Sequence, residues 1–134
     1  MSNEKQAKRS LGKVTYFVLD HDEAITFFVT KLGFELVEDT KIGETKRWVH
    51  IRAGCEGAGM ILALASEAQK EFVYNQAAGK VFGFLETDDF MRDYNNWSKL
   101  GVQFLETPRD EEYGIVSVFL DLYQNRWDLI QRKT

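Results

Sequence analysis

One phrase occurs twice in this chain: KLGFELVEDT begins at Lys31 and KLGVQFLETP begins at Lys99. The two copies stand about half of the 134-residue chain apart. A chain of this length fits one domain, because single cores are commonest at roughly 100–150 residues. The sequence therefore predicts two similar units that share one core.

A similar amphipathic helix is predicted before each copy. Apolar residues recur there at the spacing of one face of a 3.6-residue helix. They are Ile25, Phe28, Val29 and Leu32 in the first helix, and Phe90, Tyr94 and Trp97 in the second. Gly33 and Gly101 suit the left-handed residue that ends a helix. Each half is thus predicted to contain one helix of the same design.

Short β-type runs surround each predicted helix. One run precedes each helix, KVTYFVL (13–19) and VFGFLET (81–87). Three follow each: FELVED, TKRWVHIR and GMILALA in the first half, and VQFLET, GIVSVFL and RWDLIQ in the second. This order predicts an α+β fold built from two βαβββ modules that pack together, because one helix cannot cover both faces of a sheet. The predicted boundaries are a tail (1–12) and a single domain (13–134), which comprises module one (13–65), a polar linker with room for a helical turn (66–80) and module two (81–131).

Composition excludes several classes of function. The formal net charge is −4 and most basic residues are scattered, which argues against nucleic-acid binding. No apolar run approaches the ~20 residues of a membrane span, and the first residues carry no apolar segment typical of a secretory signal. With Cys55 as the one cysteine, no intrachain disulfide is possible, so a cytoplasmic protein is expected. The 13% of aromatic residues indicates an aromatic core or an apolar pocket.

Four stretches carry a resemblance to a known family: VTYFVLDHDEAITFFVTKLGFELVED, GFLETDDF, LGVQFLETPRDEEYG and FLDLYQNRWDLIQ. In order and spacing they resemble the vicinal oxygen chelate superfamily, which includes glyoxalase I, bleomycin-resistance proteins and extradiol dioxygenases. The resemblance implies a curved eight-stranded sheet around a cleft, formed within one chain or across a homodimer. It also implies that metal-dependent members bind one divalent ion through the first and last strands of each module.

The four metal-ligand positions of that family fall on unusual residues in this sequence. By the resemblance they are Lys13, Leu62 or Ala63, Phe82 and Asp128. A divalent ion needs three or four nitrogen or oxygen donors, and only Asp128 supplies one here. The expectation is a metal-independent protein without a cofactor. The last turn also departs from the family, because DLYQN replaces the common Asp-Pro-Asp-Gly-Asn and predicts a different turn.

A displaced metal site is the alternative. Strand alternation puts His50 on one face with Trp48 and Arg52. If that face lines the cleft, His50, Glu86 and Asp128 form a relocated site for a divalent ion. The other histidine, His21, is predicted to lie exposed in the turn before the first helix.

The remaining positions predict a cleft for a small organic ligand. Alternation puts Thr15 and Phe17 on the face of Lys13, and it puts Phe82, Phe84 and Glu86 on one face of the second module. The predicted ligand-binding residues are Lys13, Thr15, Phe17, Trp48, His50, Phe82, Phe84, Glu86 and Asp128. Lys13, paired with Asp128 in place of the ion, would present a charge to a ligand carboxylate or carbonyl.

Two functions remain open at this point, beside a regulatory or interaction module without a ligand. The first is a small-molecule-binding protein, expected to be a homodimer, that sequesters an aromatic or amphipathic ligand. The alternative is a lyase, isomerase or dioxygenase that uses the displaced metal or metal-free acid/base chemistry on His50.

Overall fold

A computed structural model describes residues 6–134, and the predicted βαβββ order is present in both modules. Module one contains β1 (Lys13–Val18), α1 (His21–Ile25), a π-helix (Thr26–Lys31), β2 (Glu35–Ile42), β3 (Lys46–Arg52) and β4 (Gly59–Leu64). The linker contains a 3₁₀ turn (Glu67–Gln69) and α2 (Lys70–Val73). Module two contains β5 (Val81–Glu86), α3 (Phe90–Lys99), β6 (Arg109–Glu111), β7 (Gly114–Leu120) and β8 (Arg126–Arg132). The first five residues of the predicted tail lie outside the described residues, and residues 6–12 carry no helix or strand.

The eight strands form two four-stranded sheets with the same topology. Their orders are β1-β4-β3-β2 and β5-β8-β7-β6, and in each the first strand pairs with the last in parallel. The α+β fold predicted from the repeat is therefore confirmed. It differs from the expectation in one respect, because the two sheets do not close into one and no ladder joins β1 to β5 within residues 6–134.

The two modules share one core, and Trp127 lies at their junction. On β1 the even positions Tyr16 and Val18 are buried, as alternation requires of a strand with one face on the core. Trp127 is on β8. The centroid of its ring lies 6.0 Å from the ring centroid of Phe28 in the π-helix and 6.1 Å from that of Phe119 on β7. Module one therefore depends on an aromatic residue of module two to fill its interior.

The linker covers the outer edge of β1 through one side chain. Gln76 donates from Nε2 to the carbonyl of Phe17 at 2.7 Å, and its Oε1 accepts from the Phe17 N–H at 3.2 Å. Its own backbone N–H donates to Oδ1 of Asn125 at 2.9 Å. A single amide side chain thus satisfies strand-edge groups that a neighbouring strand would otherwise pair. Within residues 6–134, no helix is long and apolar enough to cross a membrane.

The predicted strand VQFLET (102–107) is wrong in its extent. This segment makes one bridge, from Phe104 to Phe119. The edge strand of the sheet is instead the short β6, which follows it in the chain. Pro108 stands between the two stretches and has no N–H to offer the ladder. The first helix also differs from the prediction, because after Ile25 it continues as a π-helix in which the N–H of Leu32 donates to the carbonyl of Phe27. The wider turn brings Phe27 into the core and leaves Val29 partly exposed.

Candidate functional site

Each sheet has one face on the core and one face directed away from it. In module one we name the outer face "face one". It consists of Lys13, Thr15 and Phe17 of β1, Gly59, Ile61 and Ala63 of β4, Trp48, His50 and Arg52 of β3, and Glu35, Glu38 and Thr40 of β2. In module two "face two" consists of Phe84 and Glu86 of β5, Arg126, Asp128, Ile130 and Arg132 of β8, Val116 and Val118 of β7, and Arg109 of β6. The two faces hold eight of the nine residues predicted from the sequence to bind a ligand.

The strand register arranges face one in rows that cross the sheet. In the first row Lys13 pairs with Gly59, and Gly59 pairs with Arg52. In the second row Thr15 pairs with Ile61, and Ile61 pairs with His50. The predicted common face of His50, Trp48 and Arg52 is confirmed, because the intervening Val49 and Ile51 are buried in the core.

His50 packs into the gap that Gly59 leaves. A Cβ added to Gly59 would lie only 2.2 Å from His50 Nε2, so the imidazole rests directly on the glycine backbone. The His50 side chain is buried, and its Nε2 has no hydrogen-bond partner within residues 6–134. A buried polar atom without a partner is uncommon in a native protein and marks a place where a further group can bind.

The pKa of His50 lies below its ordinary value of about 6.5. Burial is the largest cause, followed by the positive charges of Lys13 and then Arg52. Glu38 and Glu35 act in the opposite direction, but each has a smaller effect than either cation. The nearby charges therefore create a net positive field at the imidazole, which stays neutral at pH 7.

This lowered pKa predicts a stability difference that depends on pH. The folded-state pKa of His50 is below the unfolded value, so its contribution is complete above about pH 6.5 and is lost as the pH falls through the folded pKa. We expect the advantage of wild type over His50→Gln in free energy of unfolding to shrink between pH 7.5 and pH 5. Urea unfolding of both proteins at the two pH values measures it, and an unchanged difference would contradict the lowered pKa.

Face two carries an exposed aromatic ring beside two carboxylates. The Phe84 side chain is 69% exposed, beside Asp128 in the ladder. Burial raises the pKa of Asp128, Arg109 lowers it, and Glu106 raises it further. Glu86 accepts from Arg132 Nε at 2.7 Å on the solvent side. Acidic and basic side chains therefore both contribute to the polar part of this face, with Asp128 directly across from Phe84.

Phe82 does not belong to face two, so its predicted common face with Phe84 and Glu86 is wrong. A bulge between Val81 and Gly83 shifts the register. The ring of Phe82 packs against Tyr16 and Trp127 at centroid distances of 5.2 Å each. An inserted residue changes the strand's alternation, and this is the reason for the error.

Two predicted constellations are not brought together within one chain. No group of three or more His, Cys, Asp or Glu side chains suited to a metal occurs in residues 6–134, so His50, Glu86 and Asp128 form no cluster. Lys13 is on face one and Asp128 on face two, and the charges that shift the pKa of Asp128 all come from module two. Of the family's four ligand positions, Ala63 on face one and Phe82 in the core offer no donor, so these residues do not fit a divalent ion.

A buried polar network that the sequence analysis missed joins the two modules. Asp121 Oδ2 accepts from the Tyr16 hydroxyl and from Trp127 Nε1, and Oδ1 accepts from the backbone N–H groups of Tyr123 and Asn125. Burial raises the pKa of Asp121, against the lowering effect of these hydrogen bonds. The DLYQN turn keeps a left-handed residue despite the missing glycine, because Gln124 adopts φ 68°. Aspartate before a turn would have been the available indication.

His21 is also buried, contrary to the prediction of an exposed turn residue. Its Nε2 lies 2.8 Å from the carbonyl oxygen of Leu62, and this hydrogen bond connects the start of α1 to β4. It contributes to packing at the core side of the sheet, away from face one.

A groove between the modules is the second place in the described residues where a ligand could bind. This groove has a volume of about 1040 Å³ and is lined by the end of the π-helix, the loop that carries Cys55, and α3. Its central cation, Arg92, is bound by Asp88 at 2.8 Å and by Asp93 at 3.1 Å. Lys13 on face one makes no such ion pair within residues 6–134. The groove also contains Lys31 and Lys99, which make no ion pair within residues 6–134. Face one is the better candidate because it combines Lys13 with the buried, unpartnered Nε2 of His50.

Comparison with known proteins agrees with this architecture. The sequence model of the Glyoxalase/Bleomycin resistance protein/Dioxygenase superfamily matches residues 10–129. The chain belongs to this superfamily. An uncharacterized protein of Shewanella frigidimarina (strain NCIMB 400) is 49% identical over 127 residues, which cover 92% of this chain and 94% of the relative.

Solved structures of the superfamily share the fold. UcmS2 superposes with a TM-score of 0.77 at 29% identity, over 92% of this chain and 98% of that one. TnmS3, an antibiotic-binding protein from Streptomyces sp. CB03234, has a TM-score of 0.75 at 22% identity, over 96% and 100% of the two chains. The superfamily resemblance drawn from the four sequence stretches is therefore confirmed.

Proposed function

We propose that this superfamily member binds a small organic ligand on face one, without a metal ion. The observation that carries the proposal is the buried, unpartnered Nε2 of His50. It lies on an open sheet face beside an exposed lysine, Lys13, and a partly exposed indole, Trp48. Polar groups next to aromatic surface are what a small-molecule site requires. The antibiotic-binding role stated for TnmS3, which shares the fold, supports a ligand of this kind.

We further propose that two chains associate, with face one of one copy opposite face two of the other. Face one carries the positive field around Lys13, and face two carries Asp128 and Glu86. Phe84 and Trp48 leave aromatic surface exposed on the two faces. A two-fold axis would generate two such contacts and two equivalent clefts. In this arrangement Lys13 and Asp128 would line the same cleft from opposite sides.

An enzymatic role is the second candidate, and the neutral imidazole of His50 is what favours it. A histidine with a lowered pKa keeps a nitrogen available to accept a proton at pH 7. The acid/base reaction would take place on the same ligand, bound on the same face. Turnover lost in His50→Gln while ligand binding is retained would favour this candidate.

A thermal-shift screen tests ligand binding directly. Chelator-treated protein is screened against aromatic anions, cations and neutral compounds, and its metal content is measured before and after soaking with Zn²⁺, Ni²⁺, Mn²⁺ and Fe²⁺. We expect a ligand at 100 times its Kd to raise Tm by about 8–13 °C, because it stabilises the protein by about 2.7 kcal/mol and each kcal/mol shifts the Tm of a domain of this size by about 3–5 °C. A stoichiometric metal ion that is lost in Asp128→Ala would contradict the proposal.

Sedimentation equilibrium tests the dimer in the same preparation. A charge reversal on face two, Asp128→Lys, should weaken the association because it places a lysine opposite Lys13. The matched control is Asp110→Lys, which reverses a charge on β6 that is bound to Lys133 at 2.8 Å. A monomeric wild type at micromolar concentration would contradict the dimer and leave the binding proposal to the screen.

A further inference from the structure

Face one has a notch between two aromatic side chains. Phe17 pairs with Ala63 in the parallel ladder of β1 and β4. On the other side, the β3–β4 register pairs His50 with Ile61, and continuing it by two residues brings Trp48 opposite Ala63. The small methyl group of Ala63 thus lies between the Phe17 and Trp48 positions on face one, and the Phe17 ring also packs against Phe72 of α2 at a centroid distance of 6.5 Å.

The width of this notch suits a flat ring. Phe17 and Trp48 stand two strands apart, which is about 9.6 Å at the ordinary strand spacing of about 4.8 Å. A planar ring in contact with an aromatic ring on each side needs about 7–8 Å, twice the optimal carbon–carbon separation of about 3.5–4.0 Å. A branched aliphatic group is thicker and fits less well. The Trp48 indole makes no contact with another aromatic ring within residues 6–134 and is 37% exposed, so its surface is available.

The positive end of face one lies four residues along β1 from the notch. Lys13 and Arg52 flank Gly59 in the first row, and the His50 ring fills the space between them. Arg52 is bound by Glu35, which leaves Lys13 as the cation without an ion pair in residues 6–134. The separation of Lys13 from Phe17 along the strand is about 13 Å.

We propose that face one binds a planar aromatic anion, with its rings between Phe17 and Trp48 over Ala63 and its negative group directed to Lys13. This inference rests on the proposed function and names its ligand class. The spacing favours an elongated molecule of two or three fused rings that carries a carboxylate or phenolate at one end. Face two offers no equivalent site, because its polar groups next to Phe84 are carboxylates.

Three anthracene probes of nearly equal shape test the charge preference. They are 2-anthracenecarboxylate, 2-anthracenemethanol and 2-anthracenemethylamine, whose polar group stands at one end of the ring system, and each is titrated into the full-length protein while Trp fluorescence is recorded. Trp97 and Trp127 are buried, so quenching of Trp48 dominates the response. We expect the carboxylate to bind about five- to tenfold more tightly than the alcohol, as for a partly exposed charge pair, and the amine to bind most weakly.

Variants then assign the site. Lys13→Met should remove the preference for the carboxylate over the alcohol, whereas the control Lys99→Met, in the groove between the modules, should keep it. Ala63→Leu should abolish binding of all three probes by filling the notch. Ala63 lies on the outer face, and the effect of its substitution on folding is checked by urea unfolding. Trp48→Phe provides a second variant that should weaken all three probes, and its binding is followed through the fluorescence of the anthracene because the substitution removes the Trp48 signal.

Each contrary result overturns the inference. Equal or tighter binding of the alcohol or the amine would do so and would leave the proposed small-molecule function standing. Loss of the preference in Lys99→Met but not in Lys13→Met would move the site to the groove. If none of the three probes binds, the aromatic notch is wrong, while the proposed function is judged separately by the broader screen.

Discussion

Asp121→Ala is expected to lower the free energy of unfolding by about 3–5 kcal/mol. The substitution leaves the Tyr16 hydroxyl, the Trp127 indole N–H and two backbone N–H groups without their acceptor. These donors are buried, so water does not replace the lost carboxylate without local opening. Urea unfolding monitored by fluorescence measures the change. Total stabilities of small domains are about 5–15 kcal/mol, so this variant would lose a large part of its stability.

Tyr16→Phe is the matched control for this network. It removes one donor to Asp121 and one acceptor from Asn125 Nδ2, at 3.0 Å, but it leaves the other three donors of Asp121 in place. We therefore expect a smaller loss of about 1–2 kcal/mol. A loss in Asp121→Ala that is no larger than in Tyr16→Phe would show that the carboxylate does not organise the junction.

Gly83→Ala should cost about 2–3 kcal/mol, because the new methyl group would overlap the Trp127 ring. A Cβ at this position would stand 2.4 Å from Trp127 Cζ3. The indole has little room to move, since it packs against four aromatic rings and its N–H is held by Asp121. The variant should also reduce the intensity of the near-ultraviolet circular dichroism signal of the aromatic core.

Gly54→Ala is the control for the glycine substitution. Gly54 has open space around its Cβ position and no positive φ, so the same chemical change there should be nearly neutral or slightly stabilising. Equal urea midpoints for Gly83→Ala and wild type would mean that the bulge of β5 can move away from Trp127.

The repeat and the alternation of side chains were enough to predict most of this fold. The two βαβββ modules follow from the doubled phrase, and alternation alone identified the outer positions Lys13, Thr15 and Phe17 and the face shared by Trp48, His50 and Arg52. Both rules fail where one residue is inserted into a regular element. The bulge at Phe82 and the π-helix after Ile25 are such insertions, and neither has a distinctive local sequence.

The candidate site was only partly predictable for a different reason. Sequence patterns identify side chains with chemistry, but the shape of face one depends on two residues that have almost no side chain, Gly59 and Ala63. The two residues matter because of the side chains that pair with them on β1 and β3. The register of these strands is set by the whole sheet rather than by local sequence. The same limit applies to Asp121, whose partner Tyr16 is far away in the chain.

The amide of Gln76 also has a consequence for the behaviour of the protein at high concentration. By occupying the outer edge of β1, it withdraws that edge from pairing with strands of other molecules. The opposite edge of the first sheet is β2, which carries charged side chains such as Glu38, Asp39 and Lys41. The corresponding edge of the second sheet is β6, which is only three residues long. Short and charged edges resist the addition of foreign strands. The linker therefore protects the β1 edge at Phe17 from pairing with a strand of another molecule.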